Sequence, residues 1–249
     1  HYGNYLPNPA LALSKVLGSM KDDKGRVLIP EFYSGIFLSD TVKGILEGVP
    51  SEESSIKART QTKINDLVGS TYQESLQYPS LNIRGMQSGW VGKEARTIIP
   101  SSATAEMDIR LVLESKPEIL IRGIKQHIEG LGYAVLDHTP KSDERLQYDK
   151  IIQMNAKVHY PAFRTDSKAK EGQWLTKILT DYYQKSPVII RTSGGSVPIS
   201  PFVSQLGVPA IGVPTVNLDN NQHSPNENLR LGNYFMGIES FITILTSPF

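Results

Sequence analysis

The sequence predicts a two-part chain: an α+β region, with two helices laid on one face of a four-stranded antiparallel sheet, followed by an α/β layer. Three observations carry this. Two amphipathic helical stretches, residues 10–20 and 117–131, are interleaved with short strand-like runs over the first 160 residues. Residues 104–112 alternate polar and apolar, as a half-buried strand does. After Pro161 the pattern changes to helices separated by continuous apolar runs, the mark of strands covered on both faces. The boundary is expected near residue 160, giving regions 1–160 and 161–249.

The first helix begins at Asn8-Pro9. Asn8 suits an N-cap, and Pro9 suits the first turn, where its missing N–H costs nothing. Leu11, Leu13, Val16, Leu17 and Met20 recur at helical spacing, and Asp22 to Gly25 end the run. Arg26–Ile29 reads as a short strand closed by Pro30. Residues 39–77 are polar with scattered apolar positions and predict short helices in an excursion. Leu81–Arg84 and Thr104–Val112 read as strands, the latter with Met107 and Ile109 on one face and Asp108 and Arg110 on the other. Pro117 opens the second helix and Gly132 closes it. Tyr133–Leu136 and Ile151–Val158 complete the first region as strands.

In the second region, residues 168–184 predict a helix, Pro187–Ile190 a buried strand, and Thr192–Ser196 a glycine turn. A short helix over 198–206, a buried strand over 209–213, a polar loop over 215–230 and a last helix over 234–245 follow.

Acidic and basic residues nearly cancel, at a formal net charge of +1, so nucleic acid is not an expected partner. No apolar run approaches the ~18 residues a membrane span needs. The chain has no cysteine, which excludes disulfides, thiolate metal cages and cysteine nucleophiles. The compartment stays open, with the cytoplasm as the default.

Three segments are suited to chemistry. The loop Asp219–Glu227 follows a buried strand, where ligand sites of α/β sheets collect, and its His223 can offer a neutral imidazole to a metal. Taken alone, a histidine in a polar loop is more often a surface residue. Gly194 and Gly195, with Ser196, sit between a strand and a helix, where backbone N–H groups can hold a carboxylate; the plain alternative is a tight turn. Arg110 can clamp a carboxylate with its fork of donors, or simply face solvent. His127 reads as a surface residue, and His138 and His159 have no partner at ligand spacing.

In order along the chain, Tyr2-Gly3-Asn4 with Pro7–Pro9, Arg26–Pro30, Thr97–Pro100 with Ile109–Val112, Arg191–Ile199 and His223–Glu227 resemble the di-zinc hydrolases that include carnosinase, carboxypeptidase G and aminoacylase. The likeness is nearest to the carnosinase-like branch. It implies that residues 1–160 are a lid that forms a homodimer and that 161–249 are a remnant of the catalytic domain. It also implies two zinc ions in the intact enzyme and cleavage of an amide bond in a small peptide or N-acyl amino acid. By motif position His223 ligates a zinc, Arg110 binds the substrate carboxylate with Gly194, Gly195 and Ser196, and Thr97 reaches the active site of the partner subunit.

The other metal ligands and the general base of that family lie in an amino-terminal half that this sequence does not contain, and Glu52-Glu53 in the excursion does not replace them. Ser193 stands where carnosinases carry a glutamate for the substrate amine, which leaves N-acyl amino acids or longer peptides open. The expectation is therefore an inactive fragment of an active parent. The alternative is a dimerisation module without catalysis.

Overall fold

The computed structural model describes residues 1–249. The chain forms two compact units: His1–Ala162 with Thr192–Pro198, and Phe163–Arg191 with Ile199–Phe249.

In the first unit, helix α1 spans Pro9–Gly18, and the Asn8 side chain accepts from the backbone N–H groups of Ala10 and Leu11, the cap the sequence indicates. The excursion holds three short helices, α2 (Asp40–Glu47), α3 (Glu53–Thr60) and α4 (Tyr72–Ser75). It is pinned back by the Leu67 N–H, which donates to the Lys24 carbonyl at 2.7 Å. Strands β1 (Ser80–Gln87) and β2 (Thr104–Arg110) then pair antiparallel, with Ser80 opposite Arg110. The register shifts between Ile83 and Gly85, so Arg84 is the extra residue of a bulge; its guanidinium reaches Glu106 at 2.9 Å. Ile83 just before the bulge, and Met86, Trp90 and Val91 beyond it, are exposed.

Helix α5 (Pro117–Gly130) follows, with the left-handed Gly132 at φ 85° just after it. Strands β3 (Ala134–Leu136) and β4 (Ile151–Gln153) flank helix α6 (Ser142–Gln147). Val16 and Met20 from the first helical segment, Leu120, Ile124 and Ile128 from α5, and Val27, Ile29, Phe32 and Leu81 form one core. Met107 and Ile109 of β2 pack against it, as their alternation predicts. Helix α5 crosses the 29–30 segment so closely that a Cβ on Gly123 would meet Ile29 Cγ2 at 3.0 Å.

Two expectations need correction here. The four-stranded antiparallel sheet is instead two separate two-stranded sheets, and β3 and β4 run parallel. The cause is α6, which carries the chain back before β4 begins; parallel pairing needs such a crossover. The Arg26–Ile29 run contributes only an isolated bridge, between Lys21 and Val27. That bridge is closed by the Leu28 N–H on the Met20 carbonyl at 2.8 Å and the Asp22 N–H on the Arg26 carbonyl at 2.9 Å, while the Val27 N–H is spent on the Tyr33 hydroxyl at 2.9 Å. The run anchors the core through Val27 and Ile29 without joining a sheet. Tyr33 is itself half-buried, and loss of hydration pushes its phenol pKa up.

His127 also differs from its surface reading. It is half-buried on α5, and its Nε2 lies 2.9 Å from the Ser19 hydroxyl, tying α5 to the end of α1.

The second unit contains α7 (Lys170–Tyr183), α8 (Ser200–Leu206) and α9 (Leu231–Thr246). Helices α7 and α9 pack together, with the Tyr183 hydroxyl 2.6 Å from the Ser240 hydroxyl. The expected strands 187–190 and 209–213 do not form. Both runs are unpaired, and Val188, Ile189, Ile190, Val208 and Ile211 are exposed, because neither run meets a neighbouring strand. Helix α9 likewise exposes Leu231, Phe235, Phe241 and Leu245. No helix of the chain is long and apolar enough to cross a membrane.

Candidate functional site

The first unit contains a cleft of about 350 Å³. Its lining includes Ser80 and Asn82 at the start of β1, Arg110 at the end of β2, Tyr72 and Leu76, and the Thr192–Ser196 turn. The sheet register explains the first group. Pairing Ser80 with Arg110 brings the open end of the hairpin to one edge of the cleft. Arg110 lies on the polar face of β2, where its alternation with Ile109 places it. Its Nη1 donates to Ser196 Oγ at 2.7 Å, and its Nε pairs with Asp108 at 2.8 Å. Asp108 thus holds the guanidinium plane while the side chain remains exposed at the cleft.

The opposite group comes from the excursion. The Thr71 side chain caps α4 by accepting from the Glu74 N–H at 3.1 Å, and the Glu74 carboxylate accepts from the Ser70 N–H at 3.0 Å. Glu53 accepts from the Tyr72 N–H at 2.8 Å, joining α3 to α4. Gln77, only 2% exposed, donates to the Gln73 carbonyl at 3.0 Å and accepts from the Thr192 hydroxyl at 3.2 Å. That last bond ties the excursion to the glycine turn. The approach is close: a Cβ on Gly194 would lie 3.2 Å from Leu76 Cδ2 and 3.7 Å from the Tyr72 hydroxyl. A side chain at Gly194 would press on Leu76, which would have to give by a few tenths of an ångström; Gly195 has nothing within 4 Å of the same position.

The structure thus brings Arg110, Gly194, Gly195 and Ser196 to one cleft. Thr97 is exposed in the β1–β2 loop and does not line it. Sequence reasoning missed Tyr72 and Leu76. The available signal was Thr71-x-x-Glu74, a capping-box spacing inside the excursion.

His223 belongs to the second unit, in a loop clamped at its base by Asn217. Asn217, 4% exposed, donates to Asp219 at 2.9 Å and to Asn228 at 3.1 Å, and accepts from the Arg230 N–H at 3.1 Å. The amide of Asn217, helped by Arg230, holds the Asp219 carboxyl below the ordinary carboxylate range. Within the loop Asn221, His223 and Asn226 have φ of 54°, 63° and 63°, a left-handed conformation uncommon outside glycine. No group of three or more His, Cys, Asp or Glu side chains in the chain is arranged to hold a metal ion. His223 alone does not fit a catalytic zinc, which takes about three protein ligands.

His138, given no partner by sequence, sits between two carboxylates: Nδ1 is 2.9 Å from Asp137 and Nε2 is 2.9 Å from Glu144. Asp137 first, then Glu144, raises its pKa. Because each ring nitrogen already faces a carboxylate, this is an exposed ion-pair clasp, not a metal centre.

Residues 1–134 match the M20 peptidase dimerisation domain family. The Cys-Gly metallodipeptidase DUG1 of Candida albicans is 26% identical over 96% of this chain and 48% of its own length. The Beta-Ala-His dipeptidase of Mus musculus is 25% identical over 96% of this chain and 47% of its own length. Among solved structures, the M20 family metallo-carboxypeptidase Sso-CP2 of Sulfolobus solfataricus superposes with a TM-score of 0.76 at 24% identity, covering 98% of this chain and 53% of that one. At that identity the superposition shows the fold alone. The chain spans about half the length of the curated relatives it matches, and it aligns with their carboxyl-terminal part. With the family profile matching more than half of its residues, this chain belongs to the M20 peptidase dimerisation domain family.

Proposed function

We propose that this chain is the carboxyl-terminal part of a zinc-dependent peptidase or amidohydrolase that cleaves an amide bond in a small peptide or N-acyl amino acid. The observation that carries the reading is Arg110, which reaches Ser196 beside the Gly194-Gly195 turn at the edge of a cleft. A guanidinium with free donors, backbone N–H groups and a hydroxyl together form a carboxylate-binding set. In this reading residues 1–160 are the lid and 161–249 complete a catalytic domain whose remaining strands lie outside this chain. The unpaired apolar runs at 187–190 and 209–213 and the exposed faces of α9 support that division.

The lid would join two copies of the protein. The exposed apolar end of the β1–β2 hairpin, with Trp90, Val91 and Ile98, supports such a contact, and Thr97 in the same loop would then reach the partner's active site. That hairpin also suits the second reading, a dimerisation module that performs no hydrolysis.

His223 would be one ligand of a metal site whose other ligands come from outside this sequence. The chain alone is therefore expected to bind zinc with micromolar or weaker affinity in isothermal titration; submicromolar binding would overturn this. The full-length protein is expected to hydrolyse dipeptides or N-acyl amino acids and to lose the activity on chelation. Absence of all hydrolysis with zinc, cobalt and manganese would leave the non-catalytic module standing.

A further inference from the structure

Tyr72 has a role that its place in the excursion does not announce. Its backbone N–H is taken by Glu53, and its ring lines the cleft that Arg110 and Ser196 share. Its hydroxyl makes no hydrogen bond within the protein and faces Gly194, 3.7 Å from where a Cβ would stand. Gly194 is two residues from the serine that Arg110 holds. The position of Tyr72 is set by three independent ties: the Thr71 cap, the Glu53 acceptor, and the Gln77 link to Thr192. A phenol held this firmly, with its donor directed at a carboxylate-binding turn, costs little entropy when it engages a ligand.

We propose that Tyr72 is a binding residue of this cleft, donating a hydrogen bond to the ligand carboxylate that Arg110 and Ser196 hold, with Leu76 closing the adjacent wall. The excursion thereby becomes part of the ligand site. Leu76 and Tyr72 together crowd the turn and limit the bulk of the group that lies beside the carboxylate. The inference rests on the carboxylate reading of Arg110 and Ser196, and it adds a donor from a different segment of the chain.

The test uses the chain as it is, with glycylglycine as the probe and its carboxyl amide as the comparison, followed by amide chemical shifts at millimolar ligand. Tyr72→Phe removes the donor and keeps the ring, so a shared melting temperature with the parent chain would show that packing is intact. The expected result is about tenfold or greater weakening of glycylglycine binding by Tyr72→Phe, the scale of one hydrogen bond to a charged acceptor. Binding of the amide should be weak in both proteins and unaffected by the substitution. If Arg110→Gln loses glycylglycine while Tyr72→Phe binds as tightly as the parent, the role of Tyr72 is overturned and the carboxylate site stands. If Tyr72→Phe weakens glycylglycine and its amide equally, Tyr72 is a packing residue and the proposal fails. If the parent chain binds no glycylglycine at all, both readings fail.

Discussion

Arg110→Gln in the full-length protein is expected to lower kcat/KM by about a hundredfold while leaving the melting temperature nearly unchanged. The functional loss follows from chemistry. A hydrogen bond to a charged partner is worth about 1.5–3 kcal/mol, and the guanidinium fork supplies more than one. Glutamine cannot reproduce the fork or the charge. Stability should change little. Arg110 and Asp108 are both more than a third exposed, and an exposed pair of this kind contributes about 0–1 kcal/mol. Activity and stability should therefore separate. Steady-state kinetics on a carboxylate-bearing substrate, beside a thermal melt, decides the matter; unaltered kcat/KM would remove Arg110 from the site.

Phe32→Ala is expected to have the largest effect on stability, about 3–5 kcal/mol, with the melting temperature of the first unit falling by about 10 °C. Phe32 is 2% exposed and belongs to the cluster formed by Met20, Ile29 and Leu120. Its ring meets Tyr33 edge to face at a centroid distance of 5.2 Å. Truncation removes apolar burial and leaves a cavity among Met20, Ile29 and Leu120. The total stability of a domain is only about 5–15 kcal/mol, so this loss is a large share of it. Phe37, 83% exposed, is the control: Phe37→Ala should change stability by about 0.5 kcal/mol or less. Urea unfolding of the two variants tests the contrast, and equal effects would place the core elsewhere.

What was legible in the sequence follows from where hydrogen bonds close. A helix closes its bonds within four residues, so a cap and an apolar stripe suffice to announce it. Asn8 with Pro9 and Pro117 with Gly132 mark α1 and α5 within a residue or two of their ends. The alternation of 104–110 likewise placed Arg110 on the polar face and Met107 and Ile109 toward the core. The Thr192–Ser196 turn was readable as a candidate anion site because glycine is a local signal.

A strand closes its bonds on a distant partner, and the sequence names no partner. Arg26–Ile29 has strand composition yet makes only an isolated bridge to Lys21 and gives its Val27 N–H to the Tyr33 hydroxyl. The direction of β4 was decided by α6 returning the chain, and the apolar runs at 187–190 and 209–213 stay unpaired for want of a neighbour. The candidate site divides the same way. Local chemistry marked Arg110, Ser196 and the glycine pair as candidates, and the structure places them on one cleft. Only tertiary structure brought Tyr72 and Leu76 against Gly194, because a contact across more than a hundred residues leaves no local trace in the chain.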